Sequence, residues 1–163
     1  MKNIYFILTI ILLSINMLEA QNNFIGTWEH QDENKIFRVV LWSSEDGEYL
    51  NGHYEKVNIN NGIETYIFCS NKEKFVGNNT GWLPTVFWLQ GDNQMIGGAF
   101  TDNTVNQNLY DQQKLGSVKI ELISNSGSGP ITAQWTVRRG QGPYINEAPE
   151  FSVPTDIVLT KVE

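Results

Sequence analysis

Few residues in this chain carry side chains able to do bond-making chemistry, so they can be weighed one by one. His30 and His53 would share a metal only with an acidic neighbour such as Glu29 or Glu55. Metal sites need three or four convergent ligands, and the chain has no HExxH and no His-x-His pair. Both histidines therefore read as ordinary strand residues, and no metal is expected. Cys69, in Tyr66-Ile67-Phe68-Cys69-Ser70, would need a base and an electropositive setting to act as a nucleophile. Its apolar surroundings predict a buried small hydrophobe instead. Asp32, Glu33, Asp46 and Glu48 would suit paired-carboxylate chemistry on a sugar. They fall in or beside turns, where acids serve solubility and backbone hydrogen bonding. Lys72-Glu73-Lys74 reads as a solvated loop. No calcium loop and no glycine-rich phosphate cradle leading into a helix is present. No catalytic residue, no metal and no cofactor is assigned, and the expectation is a non-enzymatic protein.

Composition narrows the class further. The chain has 163 residues, with 11 Lys+Arg against 18 Asp+Glu and a net charge of −7. That balance leaves no surplus of cations to neutralise phosphates, so nucleic acid is not an expected partner. With 40% hydrophobic and 18% charged residues the chain has the makings of a folded globule. Its length suits one domain with a real core. A single Cys excludes an intramolecular disulfide framework.

The first segment reads as an address. Lys2 precedes a nearly unbroken apolar run from Ile4 to Leu18, followed by Ala20 and the polar Gln21-Asn22-Asn23. As a helix the run spans roughly 22 Å, short of the roughly 30 Å hydrocarbon core. Residues 1–20 are thus expected to be a cleavable signal peptide, cut between Ala20 and Gln21. Residues 21–163 form the expected single domain, periplasmic or extracellular, without a membrane span and monomeric. Cleavage removes one Lys and one Glu, so the charge stays at −7.

The elements that must position any site have a period of two. Phe37, Val39 and Leu41 alternate with Ile36, Arg38, Val40 and Trp42. Ile131, Ala133, Trp135 and Val137 alternate with Thr132, Gln134, Thr136 and Arg138. Alternation of this kind marks strands with one face on a core. Nine strands are predicted: Phe24–His30, Ile36–Trp42, Tyr49–Val57, Ile63–Ser70, Thr85–Gln90, Gln94–Thr101, Val118–Ile123, Ile131–Arg138 and Thr155–Val162. Asp46-Gly47, Asn60-Asn61-Gly62 and Gly91-Asp92-Asn93 supply hairpin turns between them. Short connections make neighbours antiparallel. A meander of nine strands would leave two open edges, and closure into an up-and-down barrel of about eight to ten strands removes them. A β-sandwich is the alternative. Two connections are longer: Asp102 to Gly116 is polar and has room for a short helix, and Arg139 to Phe151 reads as an irregular loop.

Gly26-Thr27-Trp28, on the first strand, resembles the glycine-any-tryptophan signature that opens lipocalin-like (calycin) barrels. The resemblance implies a Trp that plugs one barrel end, with a basic residue of a late strand over its indole. Gly26, Trp28 and either Arg138 or Lys161 would then form a structural latch. Three blocks resemble more closely an uncharacterised family of small exported bacterial proteins, domain of unknown function 6705. They are Phe24-Ile25-Gly26-Thr27-Trp28-Glu29, Tyr49-Leu50-Asn51-Gly52-His53-Tyr54 and the stretch from Phe151 to Lys161. That resemblance implies an exported β domain and carries over no catalytic residue. The functional expectation is a barrel that binds a small apolar or amphipathic ligand, with Trp42, Trp82, Trp88 and Trp135 filling its interior or lining a cavity. The alternative is an interaction module for an envelope or extracellular protein, in an inhibitory role, whose contacts come from the two long loops.

Overall fold

The computed structural model describes residues 23–70, 87–104, 114–124, 129–139 and 150–163. Nine strands run in chain order: β1 (Gly26–Asp32), β2 (Lys35–Ser43), β3 (Leu50–Asn60), β4 (Ile63–Cys69), β5 (Phe87–Gly91), β6 (Met95–Asp102), β7 (Lys114–Ser124), β8 (Thr132–Arg139) and β9 (Asp156–Lys161). Among the described residues there is no helix. Turn chemistry sets the hairpins. Asn61 and Gly62 both have positive φ, 52° and 78°, the pair a two-residue turn between Asn60 and Ile63 requires. Asp92 Oδ1 accepts the backbone N–H groups of Gln94 and Met95, each at 2.8 Å, and so closes the β5–β6 turn.

All pairings are antiparallel, and they close. The ring runs β1-β2-β3-β5-β6-β7-β8-β9 and returns to β1. At the seam Trp28 faces Lys161 and Glu29 faces Thr160. Backbone hydrogen bonds from Thr27 N to Glu163 O and from Val162 N to Thr27 O, both 2.9 Å, extend it. The fold is therefore an eight-stranded antiparallel barrel with one further strand. That strand, β4, shares an edge of β3 with β5. Leu50 to Gly52 pair with β5, whereas Glu55 to Asn60 pair with β4.

Inward positions fill the barrel with large side chains. Phe37, Val39 and Leu41 from β2 meet Tyr54, Phe87, Phe100, Ile120, Trp135 and Leu159 in one continuous cluster. Trp135 lies edge-on to Phe37, Phe87 and Phe100, with ring centroids 5.6, 5.7 and 6.3 Å away. Burying each such side chain stabilises the fold by about 1.5–3 kcal/mol. The core is thus an aromatic stack threaded along the barrel axis.

Candidate functional site

The same inward alternation ends differently at the two mouths. At the mouth formed by the start of β1 and the end of β9, Trp28 is fully buried. Its Nε1 donates to Phe24 O at 2.7 Å, and the Phe24 ring stacks on it with centroids 6.3 Å apart. Lys161 Nζ stands 5.7 Å from the centre of the Trp28 ring and donates to Asn23 O at 2.9 Å. Gly26 has φ +123°, and a Cβ there would lie 2.0 Å from Glu163 O, so only glycine lets the seam close. Of the two cations considered for the Trp28 ring, Lys161 is the one beside it. Arg138 lies exposed six residues beyond Thr132 on β8, which at strand rise is about 20 Å toward the opposite mouth.

At that opposite mouth the inward set turns polar. β6 continues from Ile96 and Phe100 to Asp102, and β7 begins with Lys114, which pairs with Asp102 in register. Asp102 is fully buried. Its oxygens accept the Tyr54 hydroxyl at 2.8 Å, the Thr104 amide at 3.0 Å and the Thr104 hydroxyl at 2.9 Å. They also accept the Ser152 amide at 2.7 Å and the Ser152 hydroxyl at 2.8 Å. Burial first, then the charge of Asp102, pushes the Tyr54 phenol well above its ordinary pKa of 10.0, so it stays a donor. Asn103 Nδ2 donates to Ser70 O at 2.8 Å. This network ties the segment 150–155 across the mouth, helped by Trp135 Nε1, which donates to Pro154 O at 2.8 Å.

With Asp102 saturated by these donors, Lys114 is left over. Its residue is 8% exposed, and its Nζ is buried with no hydrogen-bond partner among the described residues. It stands 5.1 Å from the centre of the Phe151 ring. Burial and the charge of Arg139 lower its pKa, while Asp102 and Glu150 act in the other direction. Beside it, β8 and β9 part company after the hydrogen bond from Val137 N to Thr155 O. A cleft of about 460 Å³ opens there, lined by Val137, Arg139, Glu150, Phe151, Val153, Pro154 and Thr155. The lining is thus mixed, with one acid and one base among its residues.

The residues singled out for chemistry are not brought together. His30 sits on β1 with Nδ1 3.0 Å from Val158 O, and His53 sits on β3 with its ring 5.6 Å from Trp42. Strand β2 runs between them. Cys69 is buried opposite Glu55, its Sγ 4.0 Å from Glu55 Oε2. Asp46 accepts from Ser44 Oγ and Glu48 N within its turn, and Glu33 takes a positive φ in the β1–β2 turn. Trp135 fills the core, while Trp42 is half-buried on the outer wall. Residues 1–20, Lys72 to Lys74, Trp82 and the Trp88 side chain lie outside the described residues, as does most of both long connections.

Sequence reasoning missed two clusters. One is the polar mouth, because Asp102 and Lys114 were assigned to a connection rather than to strand ends. The other is on the outer wall, where Arg38 reaches Glu29 at 2.6 Å, Glu55 at 2.6 Å and Glu64 at 2.9 Å. Hydrogen bonding to Glu64, ahead of Glu55 and Glu29, holds this guanidinium firmly charged. The signal for it was cross-strand: Glu29, Arg38 and Glu55 share one register row.

No curated protein and no solved structure matches the chain. A family match does exist, and it spans residues 1–162. Matched over nearly its whole length, the chain belongs to the family of unknown function DUF6705.

Proposed function

We propose that this chain is an exported, non-enzymatic binding domain that takes a small amphipathic molecule at its polar mouth. The cleft between the end of β8 and the segment 150–155 carries this reading. Its volume of about 460 Å³ lies within the range of about 300–1,000 Å³ usual for small-molecule sites. Phe151 and Pro154 contribute the apolar part of a mixed lining, and Arg139 and Glu150 offer orientation. The aromatic stack fills the barrel axis, so the ligand sits at the rim rather than in the interior. The filled interior also favours a second reading, in which the barrel is a rigid support for recognition of an envelope or extracellular protein.

Native mass spectrometry of the protein purified from its own envelope separates the two. Extra mass of roughly a few hundred daltons, lost in Thr155→Trp, is the expected result, because an indole at that exposed lip fills the cleft. A co-purifying protein with no small adduct would replace the first reading with the second.

A further inference from the structure

We infer that residues 150–155 form a strap that opens and closes over the polar mouth, biased toward opening by the buried charge of Lys114. The inference concerns the cover and not the occupant of the cleft, so it stands or falls separately from the proposed ligand.

The strap is fastened at few points. Val137 N donates to Thr155 O, and beyond that bond the β8–β9 ladder stops. From there back to Glu150 its backbone is held by side chains of the barrel. Ser152 N donates to Asp102 Oδ2 at 2.7 Å, and Pro154 O accepts from Trp135 Nε1 at 2.8 Å. Phe151 lies on the Phe100 ring, with centroids 5.6 Å apart, and Val153 is buried. A segment joined to its sheet by a few side-chain bonds opens at a lower free energy than the ladders beneath it. Glu150, Phe151, Val153, Pro154 and Thr155 also line the cleft, so the strap sets its width.

Closure works against a charge. The Phe151 ring lies 5.1 Å from Lys114 Nζ, which is buried with no hydrogen-bond acceptor among the described residues. A buried ammonium is unfavourable unless paired or hydrogen-bonded. Charged groups face it from three elements: Asp102 on β6, Arg139 on β8 and Glu150 on the strap. Asp102 is engaged by Tyr54, Thr104 and Ser152, and Arg139 repels the ammonium. The Phe151 ring returns part of the cost. Burial, the largest influence, still lowers the Lys114 pKa from 10.5. Lifting Phe151 and Glu150 lets water reach the ammonium, and that hydration favours the open strap.

Amide hydrogen exchange of the mature chain and of Lys114→Met tests this, read as protection factors so that the intrinsic effect of pH is removed. Met keeps an unbranched side chain against Phe151 and carries no charge. Protection of the Ser152 amide should rise about fivefold or more in the variant, the low end of the cost of a buried polar group without a partner. Thr27 and Val162, at the opposite seam, should not change. The unaltered chain supplies a second readout. The open strap binds more protons at Lys114 than the closed one, so raising the pH from about 7 to about 10 should favour closure. Carboxylates and guanidinium groups do not titrate in that interval, and the Tyr54 phenol lies well above it. Ser152 protection should therefore increase with pH in the unaltered chain and stay level in Lys114→Met. Equal or lower protection of Ser152 in the variant would mean that the ammonium holds the strap down through Phe151, and would overturn the inference. A matching rise at Thr27 and Val162 would make the charge a burden on the whole barrel rather than on the strap, with the same consequence. So would Ser152 protection in the unaltered chain that fails to increase with pH.

Discussion

The two mouths of the barrel are built by one alternation pattern and finished with opposite chemistry. At the β1–β9 seam the inward positions end in Trp28, with Phe24 stacked on it and Lys161 over its ring. The two large side-chain donors there have acceptors: the indole on Phe24 O, the ammonium on Asn23 O. At the far mouth the inward positions end in Asp102 and Lys114. Five donors converge on the acid, and the base has no hydrogen bond among the described residues. Among the described residues, one mouth ends in a capped indole and the other in a saturated carboxylate beside an ammonium with no acceptor. The difference sets a packed seam at one end against a polar network at the other.

The largest effect should come from the closed end. Trp28→Ala removes a fully buried indole and the plug of the mouth. Truncations of this kind cost about 3–5 kcal/mol, a large part of a total near 5–15. Denaturant melts should show the variant barely folded. Trp42→Ala, on the outer wall, should cost much less; equal losses would mean that Trp28 is not a plug.

Asp102→Ala tests the other mouth. It leaves the Tyr54 and Ser152 donors buried without their acceptor, a loss of about 3 kcal/mol. The segment 150–155 should then exchange its amide hydrogens faster, Ser152 first. Unchanged exchange at Ser152 would mean that the carboxylate does not hold this segment down.

How far the sequence revealed this contrast depends on which residues carry it. The closed mouth was legible because Gly26 and Trp28 sit on a strand with clear alternation, and a meander must bring its ends together. The strands themselves were legible for the same reason, down to the Asn61-Gly62 turn. The polar mouth was not. Lys114-Leu115-Gly116-Ser117 has few β-formers, and Leu115 is an exposed apolar residue at 68%. The stretch becomes a strand because the β6 edge, from Phe100 to Asp102, offers it a ladder, and because the Phe151 ring packs on the Gly116 backbone. Tertiary context overrode local propensity there. The role of β4 was hidden likewise, since the hairpin pattern fixes its pairing with β3 but not that β5 takes the rest of that edge.

A smaller effect is expected at the seam backbone. Gly26→Ala forces an L-residue to φ +123° and drives its Cβ into Glu163 O. Backbone strain of this kind costs about 1–3 kcal/mol. Hydrogen exchange at Thr27 and Val162 should rise with it, while Ser152 stays protected. Loss of protection at both mouths would mean that they do not open independently.

The smallest effect distinguishes the two cations at the ends of the barrel. Lys161→Met removes the ammonium over Trp28 and its bond to Asn23 O. A cation over an indole is worth about 0.5–2 kcal/mol. Burial lowers the pKa of Lys161 from its ordinary 10.5, which offsets part of that gain. The expected loss is therefore near the lower end, about 0.5–1 kcal/mol. Arg138→Ala, at the opposite mouth and exposed, should stay within about 0.5 kcal/mol of the unaltered chain. The pH dependence sharpens the point. A lysine whose pKa is lower folded than unfolded binds more protons in the unfolded chain, so its contribution to stability rises with pH across that interval. The advantage over Lys161→Met should accordingly grow as the pH is raised through the folded pKa toward 10.5. An advantage that shrinks over that range would mean that the ring's attraction for the ammonium outweighs its desolvation, and that the seam is held by charge rather than by packing.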